Sequence, residues 1–168
     1  MVPSLLSLAD RALAVAKKLD SLVLLVARLT VGVLFVSTGW GKVHNLEKVT
    51  GFFTELGIPV PGFNAVLASY SELICGSLLV IGLASRLAAL PLVITMIVAL
   101  VTAKRGEIHG LADLFGLVEW TYIPILLVIA VFGPGLASLD ALVARWARAQ
   151  SAGAGGSSDA RYAESRPR

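Results

Sequence analysis

An arginine, Arg28, stands inside the apolar run LVLLVARLTVGVLFVSTGWGK, and a glutamate, Glu72, inside the run ASYSELICGSLLVIGLA. Runs of this kind are long enough to cross a hydrocarbon core, which takes about 20 apolar residues. A lone charge at mid-membrane costs roughly 2.5–3.5 kcal/mol on insertion scales. At a rise of about 1.5 Å per residue, Arg28 lies roughly 10–12 Å from the inner end of the first crossing. Glu72, on the returning helix, lies roughly 17–18 Å from the same side. An extended guanidinium spans that difference, so the sequence predicts that Arg28 and Glu72 face each other inside a bundle. A guanidinium or protonated carboxyl can hydrogen-bond the two carbonyl acceptors of a quinone. Burial also favours the neutral form of a carboxyl, which suits Glu72 to passing protons. Two plainer readings stand beside this one. The pair could fix helix register with no ligand, or Arg28 could snorkel to the headgroups alone.

The faces of the two helices support close approach. Arg28, Gly32, Phe35, Gly39 and Lys42 share one side of the first, and Ser69, Glu72 and Gly76 one side of the second. Small residues at such spacing let membrane helices pack tightly. A second polar group gathers at the outer end: Lys42, His44, His109, Asp113 and Glu119, with Trp40, Trp120 and Tyr122 nearby. It reads either as an aromatic belt with interfacial charges or as a mouth holding a polar headgroup near Glu72. Arg28, Glu72, Lys42, Glu119 and Ser69 are therefore the ligand-binding candidates. The histidines lack partners at metal-ligand spacing, so no metal site is expected. Ser37 and Thr38 have no histidine base nearby. The single Cys75 excludes disulfide exchange within the chain.

These residues need elements to position them, and composition says which. Of 168 residues 57% are hydrophobic and only 15% charged, with a mean hydropathy of +0.83. A soluble domain carries about 25% charged residues, so an integral membrane protein is implied. The net charge of +3 is dispersed, without the basic patches that would suggest nucleic acid. Four crossings are predicted, near Ser21–Gly41, Asn64–Leu83, Leu87–Ala103 and Trp120–Leu136. Pro91 is expected in the first turn of the third, and Pro124 inside the fourth. Arg28 and the length of the run argue against a cleaved signal peptide.

Nine Lys and Arg flank one side of these crossings and four the other, which predicts both termini in the cytoplasm. Leu46, Val49, Phe53 and Leu56 recur at helical spacing after Asn45, a candidate cap, and Gly57 with Pro59 ends that element. This segment is expected to lie on the outer surface. Residues 1–20 read as an N-terminal amphipathic segment, 21–142 as the transmembrane domain, and 143–168 as a helix end and disordered tail. A helix start is expected at Ser138-Leu139-Asp140, in a short amphipathic segment carrying Leu142 and Trp146. The fold class is all-α: a polytopic membrane four-helix bundle with short interfacial amphipathic helices.

Five stretches in order, ARLTVGVLFVSTGWGKV, LGIP, ELICGSLLVIGLASRLAAL, DLFGLVEWTY and GPGLASLDAL, make the chain resemble the DoxX family over about Leu22 to Leu142. The resemblance implies a four-helix protein of the prokaryotic inner membrane. It also implies an accessory or small subunit of a quinone-linked oxidoreductase assembly, whose redox centre a partner supplies. The family's polar positions correspond to Arg28, Gly39, Lys42, Glu72, Arg86, Glu119 and Asp140. Two rivals remain on the sequence: a non-catalytic assembly or anchoring protein, and a small-molecule carrier. Quinone is a possible ligand, but no motif encodes a cofactor.

Overall fold

The computed structural model describes residues 2–135 and 137–146, with side chains from Leu19 onward. All the regular structure among them is helical: α1 (Val2–Val43), α2 (Leu46–Glu55), α3 (Pro61–Ile81), α4 (Ser85–Val101), α5 (Leu111–Gly116), α6 (Val118–Phe132) and α7 (139–146). A short 3-10 turn, Arg105–Glu107, leads out of α4. Two helices are long and apolar enough to cross a membrane, α1 over Leu19–Val43 and α3, and α4 and α6 are shorter apolar helices. The protein is an all-α membrane protein built on these four.

Several expected boundaries move. Val2–Val43 form one continuous helix, which carries both the N-terminal segment and the first crossing. The third crossing begins at Ser85, so Pro91 is its seventh residue and lies inside the helix rather than in its first turn. Its missing N–H leaves the Leu87 carbonyl without its usual partner. The fourth ends at Phe132, where Gly133 takes φ +84°. Asn45 stands at the N-cap of α2 but does not cap it. Its side chain donates to Gly41 O at 2.9 Å, closing α1 instead. The expected apolar face of α2 is present: Leu46, Val49, Phe53 and Leu56 are half-buried, and α2 packs mainly on α3.

The tightest contact is between antiparallel α1 and α3. A Cβ on Gly39 would fall 2.8 Å from the Leu73 Cα, and one on Gly76 would fall 2.8 Å from the Val36 N. The two backbones therefore touch, which only glycine allows. The second tight pair is α4 with α6, and Phe35, Leu79, Leu92, Leu126 and Ile129 fill the space between the pairs. The turn from α3 to α4 is three residues long. Gly82 ends α3 at φ +76°, with the Leu83 N–H donating to Leu78 O at 3.0 Å, the closure typical of a left-handed helix end. Ala84 follows at φ +48°, unusual for a residue with a Cβ.

Gly39→Ala is expected to lower stability by roughly 1–3 kcal/mol, the range for forcing a methyl into a filled contact. Gly41→Ala, where the added atom meets nothing within 4 Å, should leave the melting temperature in detergent nearly unchanged.

Candidate functional site

Two polar clusters occupy opposite ends of the α1–α3 contact. The first is built on Glu72, which lies on the α1-facing side of α3 and is 1% exposed. Gly39 lets α3 approach so closely that Glu72 falls between the α1 residues one turn apart that flank it, Thr38 and Lys42. Lys42 Nζ donates to Glu72 Oε1 at 2.5 Å, and Thr38 Oγ1 donates to Oε2 at 3.1 Å. Both carboxylate oxygens are thus engaged by charged or polar donors, the condition for tolerating a buried charge. The lysine side chain is 35% exposed, so this cluster reaches the surface through Lys42.

The second cluster is built on Arg28, which is 2% exposed. Its Nη1 donates to Pro134 O and its Nη2 to Ala137 O, both at 2.9 Å. The guanidinium packs over Gly82, whose lack of a side chain leaves it room: a Cβ there would fall 2.8 Å from Arg28 Cζ and 2.7 Å from Ser138 Cβ. Asp140 completes the arrangement. Its Oδ1 accepts the Ala84 N–H at 3.0 Å, and its own N–H donates to Gly82 O at 3.1 Å. That pair of bonds holds the left-handed Ala84 in place. Arg28 and Asp140 thus tie α1, the α3–α4 turn and the segment after α6 together. Arg28 Nε and Ser85 Oγ are buried without a partner among the described residues, so holding this end together carries a desolvation penalty.

The expected meeting of Arg28 with Glu72 does not occur. Gly82, beneath the guanidinium, is ten residues from Glu72 along α3, or roughly 15 Å at the helical rise. The reason is a nearer partner for each charge: Lys42 for Glu72, and the carbonyls of Pro134 and Ala137 for Arg28. Snorkelling is overturned as well, since the Arg28 head group is bound to backbone. Of the other candidates, Ser69 is buried but donates back to Ala65 O at 2.6 Å, within its own helix. Glu119 is half-buried and has no bond to Lys42 among the described residues. It stands near Lys104, whose ammonium is pushed up by its hydrogen bond to Glu107, by the charge of Glu107 and, less, by Glu119.

The remaining polar residues are occupied locally. His44 Nδ1 lies 2.9 Å from Trp40 O, and its ring packs on Trp40 at a tilt of 42°, with centroids 4.3 Å apart. Asp113 accepts the His109 backbone N–H at 3.1 Å. No metal-binding group of three His, Cys, Asp or Glu occurs among the described residues. Ser138 is the N-cap expected for α7: its Oγ accepts the Ala141 N–H at 3.2 Å. Thr38 is the site residue that sequence reasoning passed over. Its signal was its place four residues before Lys42, on the same helical face.

A family model described as DoxX matches residues 23–105. An uncharacterised membrane protein of Mycobacterium tuberculosis is 32% identical over 133 residues, which cover 73% of this chain and 82% of that protein. Inner membrane protein YqjF of Escherichia coli is 31% identical over 130 residues, covering 76% and 96%. The chain belongs to the DoxX family. Like YqjF, this DoxX protein is a multi-pass protein of the inner membrane. A Bacillus subtilis relative with the name "Putative oxidoreductase CatD" is 31% identical over 121 residues, covering 71% of this chain and 85% of its own. No solved structure matches the chain.

Removing the Arg28 head group frees the segment after α6 and leaves the Glu72 cluster alone. Arg28→Ala should therefore raise amide hydrogen exchange across residues 137–146 by at least about tenfold, as bonds to a charged group contribute roughly 1.5–3 kcal/mol. Exchange around Thr38 and Glu72 should stay as in the parent protein.

Proposed function

We propose that this DoxX protein is a small accessory subunit of an oxidoreductase assembly in the inner membrane. In this reading it seats the carbonyl-bearing head of a quinone, or of a similar lipid-soluble substrate, at Lys42, Glu72 and Thr38. The observation that carries the reading is the asymmetry of the ion pair: a carboxylate 1% exposed, bonded to a lysine whose side chain is 35% exposed. A ligand arriving at the Lys42 end meets the lysine side chain before the buried carboxylate. Lysine has three donors, of which Glu72 takes one, and a quinone carbonyl is an acceptor, so Lys42 can bond it without new groups moving in, while Thr38 can turn its one hydrogen to it only by leaving Glu72. Glu72, released from Lys42, can then take or give a proton. Electrons come from a redox centre on a partner, since this chain carries no motif for one. The name of the CatD relative supports the oxidoreductase association. The excess of lysine and arginine at the Arg28 end supports a cytoplasmic location for both termini.

A specific observation favours the non-catalytic alternative for the other cluster. Both Arg28 amino groups are taken up by backbone carbonyls, so Arg28 is assigned to assembly of the fold and not to ligand binding.

Glu72→Gln should lower quinone-dependent activity of the native assembly by about a hundredfold, the low side of what a positioned proton carrier contributes. The abundance of the assembly should not change. Full activity at normal abundance would remove the proton role and leave an anchoring protein.

A further inference from the structure

The short helix α7 is seated the opposite way round from a helix in a water-soluble protein. Ala141 and Ala144 are its half-buried residues on one side, while Leu139, Leu142, Val143 and Trp146 are 38%, 57%, 56% and 64% exposed. Those four follow the spacing i, i+3, i+4, i+7, so they form one stripe directed away from the bundle. The helix is held firmly in this orientation. Ser138 caps it, Asp140 in its first turn is tied to Gly82 and Ala84, and Arg28 grips the residues just before it. A groove of about 360 Å³ runs between Ile81 of α3 and Ala137–Leu142, walled by Leu139 and Leu142. An apolar stripe and groove fixed at the end of a membrane bundle call for an apolar medium over them.

We propose that α7 lies in the membrane interface and holds an anionic phospholipid, with an acyl chain in the groove beside Ile81 and the headgroup near Arg145. Charge selects this occupant. Arg145 flanks the stripe, is exposed, and has no carboxylate partner among the described residues. The sequence adds Arg11, Lys17, Lys18 and Arg86 on the same side, against Asp10, Asp20 and Asp140. Of those acids, Asp140 is already bonded within the protein. Amphipathic helices with cations beside an apolar stripe bind in this way, and the attraction depends on lipid charge. This inference rests on the membrane location alone and not on the quinone reading.

Trp146 is a built-in reporter. In the full chain carrying Trp40→Phe and Trp120→Phe, it is the remaining tryptophan. The protein is reconstituted into mixed phosphatidylglycerol and phosphatidylcholine vesicles, with bromine near the carbonyls of one lipid or the other. Bromine on phosphatidylglycerol should quench Trp146 several-fold more than bromine on phosphatidylcholine. Arg145→Gln should reduce that preference by roughly fivefold, the contribution of one basic residue near an anionic surface. Equal quenching by both lipids would overturn the anionic site. Quenching by aqueous acrylamide alone would place the helix in water, and protection from all three quenchers would mean that protein covers it. Either result would overturn the proposal. If the double tryptophan variant fails to accumulate, a spin label on Leu142→Cys in a Cys75→Ser chain reads the same burial depth.

Discussion

The contact between the α1 and α3 backbones at Gly39 and Gly76 sets everything else in this protein. Without side chains at those two positions the helices settle at a distance that no larger residue permits. Membrane helices gain little from the hydrophobic effect when they associate, because lipid is as apolar as leucine, so packing of this kind is what holds them. It also fixes their register. Glu72 is brought level with Gly39, between Thr38 and Lys42, and Gly82 is brought level with Arg28. Both polar clusters follow from that alignment.

Each buried charge then finds its bonding partners within its own neighbourhood. Glu72 has a cation and a hydroxyl, and Arg28 has two carbonyls and the field of Asp140. Breaking a buried pair by removing one partner is strongly destabilising, because it strands the other charge. The two clusters differ in what they leave free. At the Arg28 end every strong interaction is turned inward to join three segments of chain, which is a structural task. At the Lys42 end one member of the pair reaches the surface, which leaves a way in. That difference separates the part of the molecule that supports a ligand-binding reading from the part that supports an assembly reading.

Much of this was legible in the residues. The run lengths gave four apolar helices, and the stripe Arg28, Gly32, Phe35, Gly39 on α1 is buried, as are Ser69, Glu72 and Gly76 on α3. Ser138 announced α7, and Gly57 closed α2. Pairing was not legible, for a physical reason. Counting depth from the helix ends places Arg28 and Glu72 within reach of each other, but it ignores backbone acceptors, and the carbonyls of Pro134 and Ala137 lie more than a hundred residues away in sequence. No periodic pattern reports a carbonyl left free by an irregular turn. Asp140 shows the same limit: its position at a helix start was readable, but its bond to the turn between α3 and α4 was not.

Glu72 belongs to Lys42 and not to Arg28. A charge exchange tests it most directly, read as the melting temperature of the purified protein in detergent. Glu72→Lys alone should unfold early, Lys42→Glu in the same chain should restore most of the loss, and Arg28→Glu should restore none. Recovery with Arg28→Glu and none with Lys42→Glu would show that Glu72 pairs with Arg28 instead.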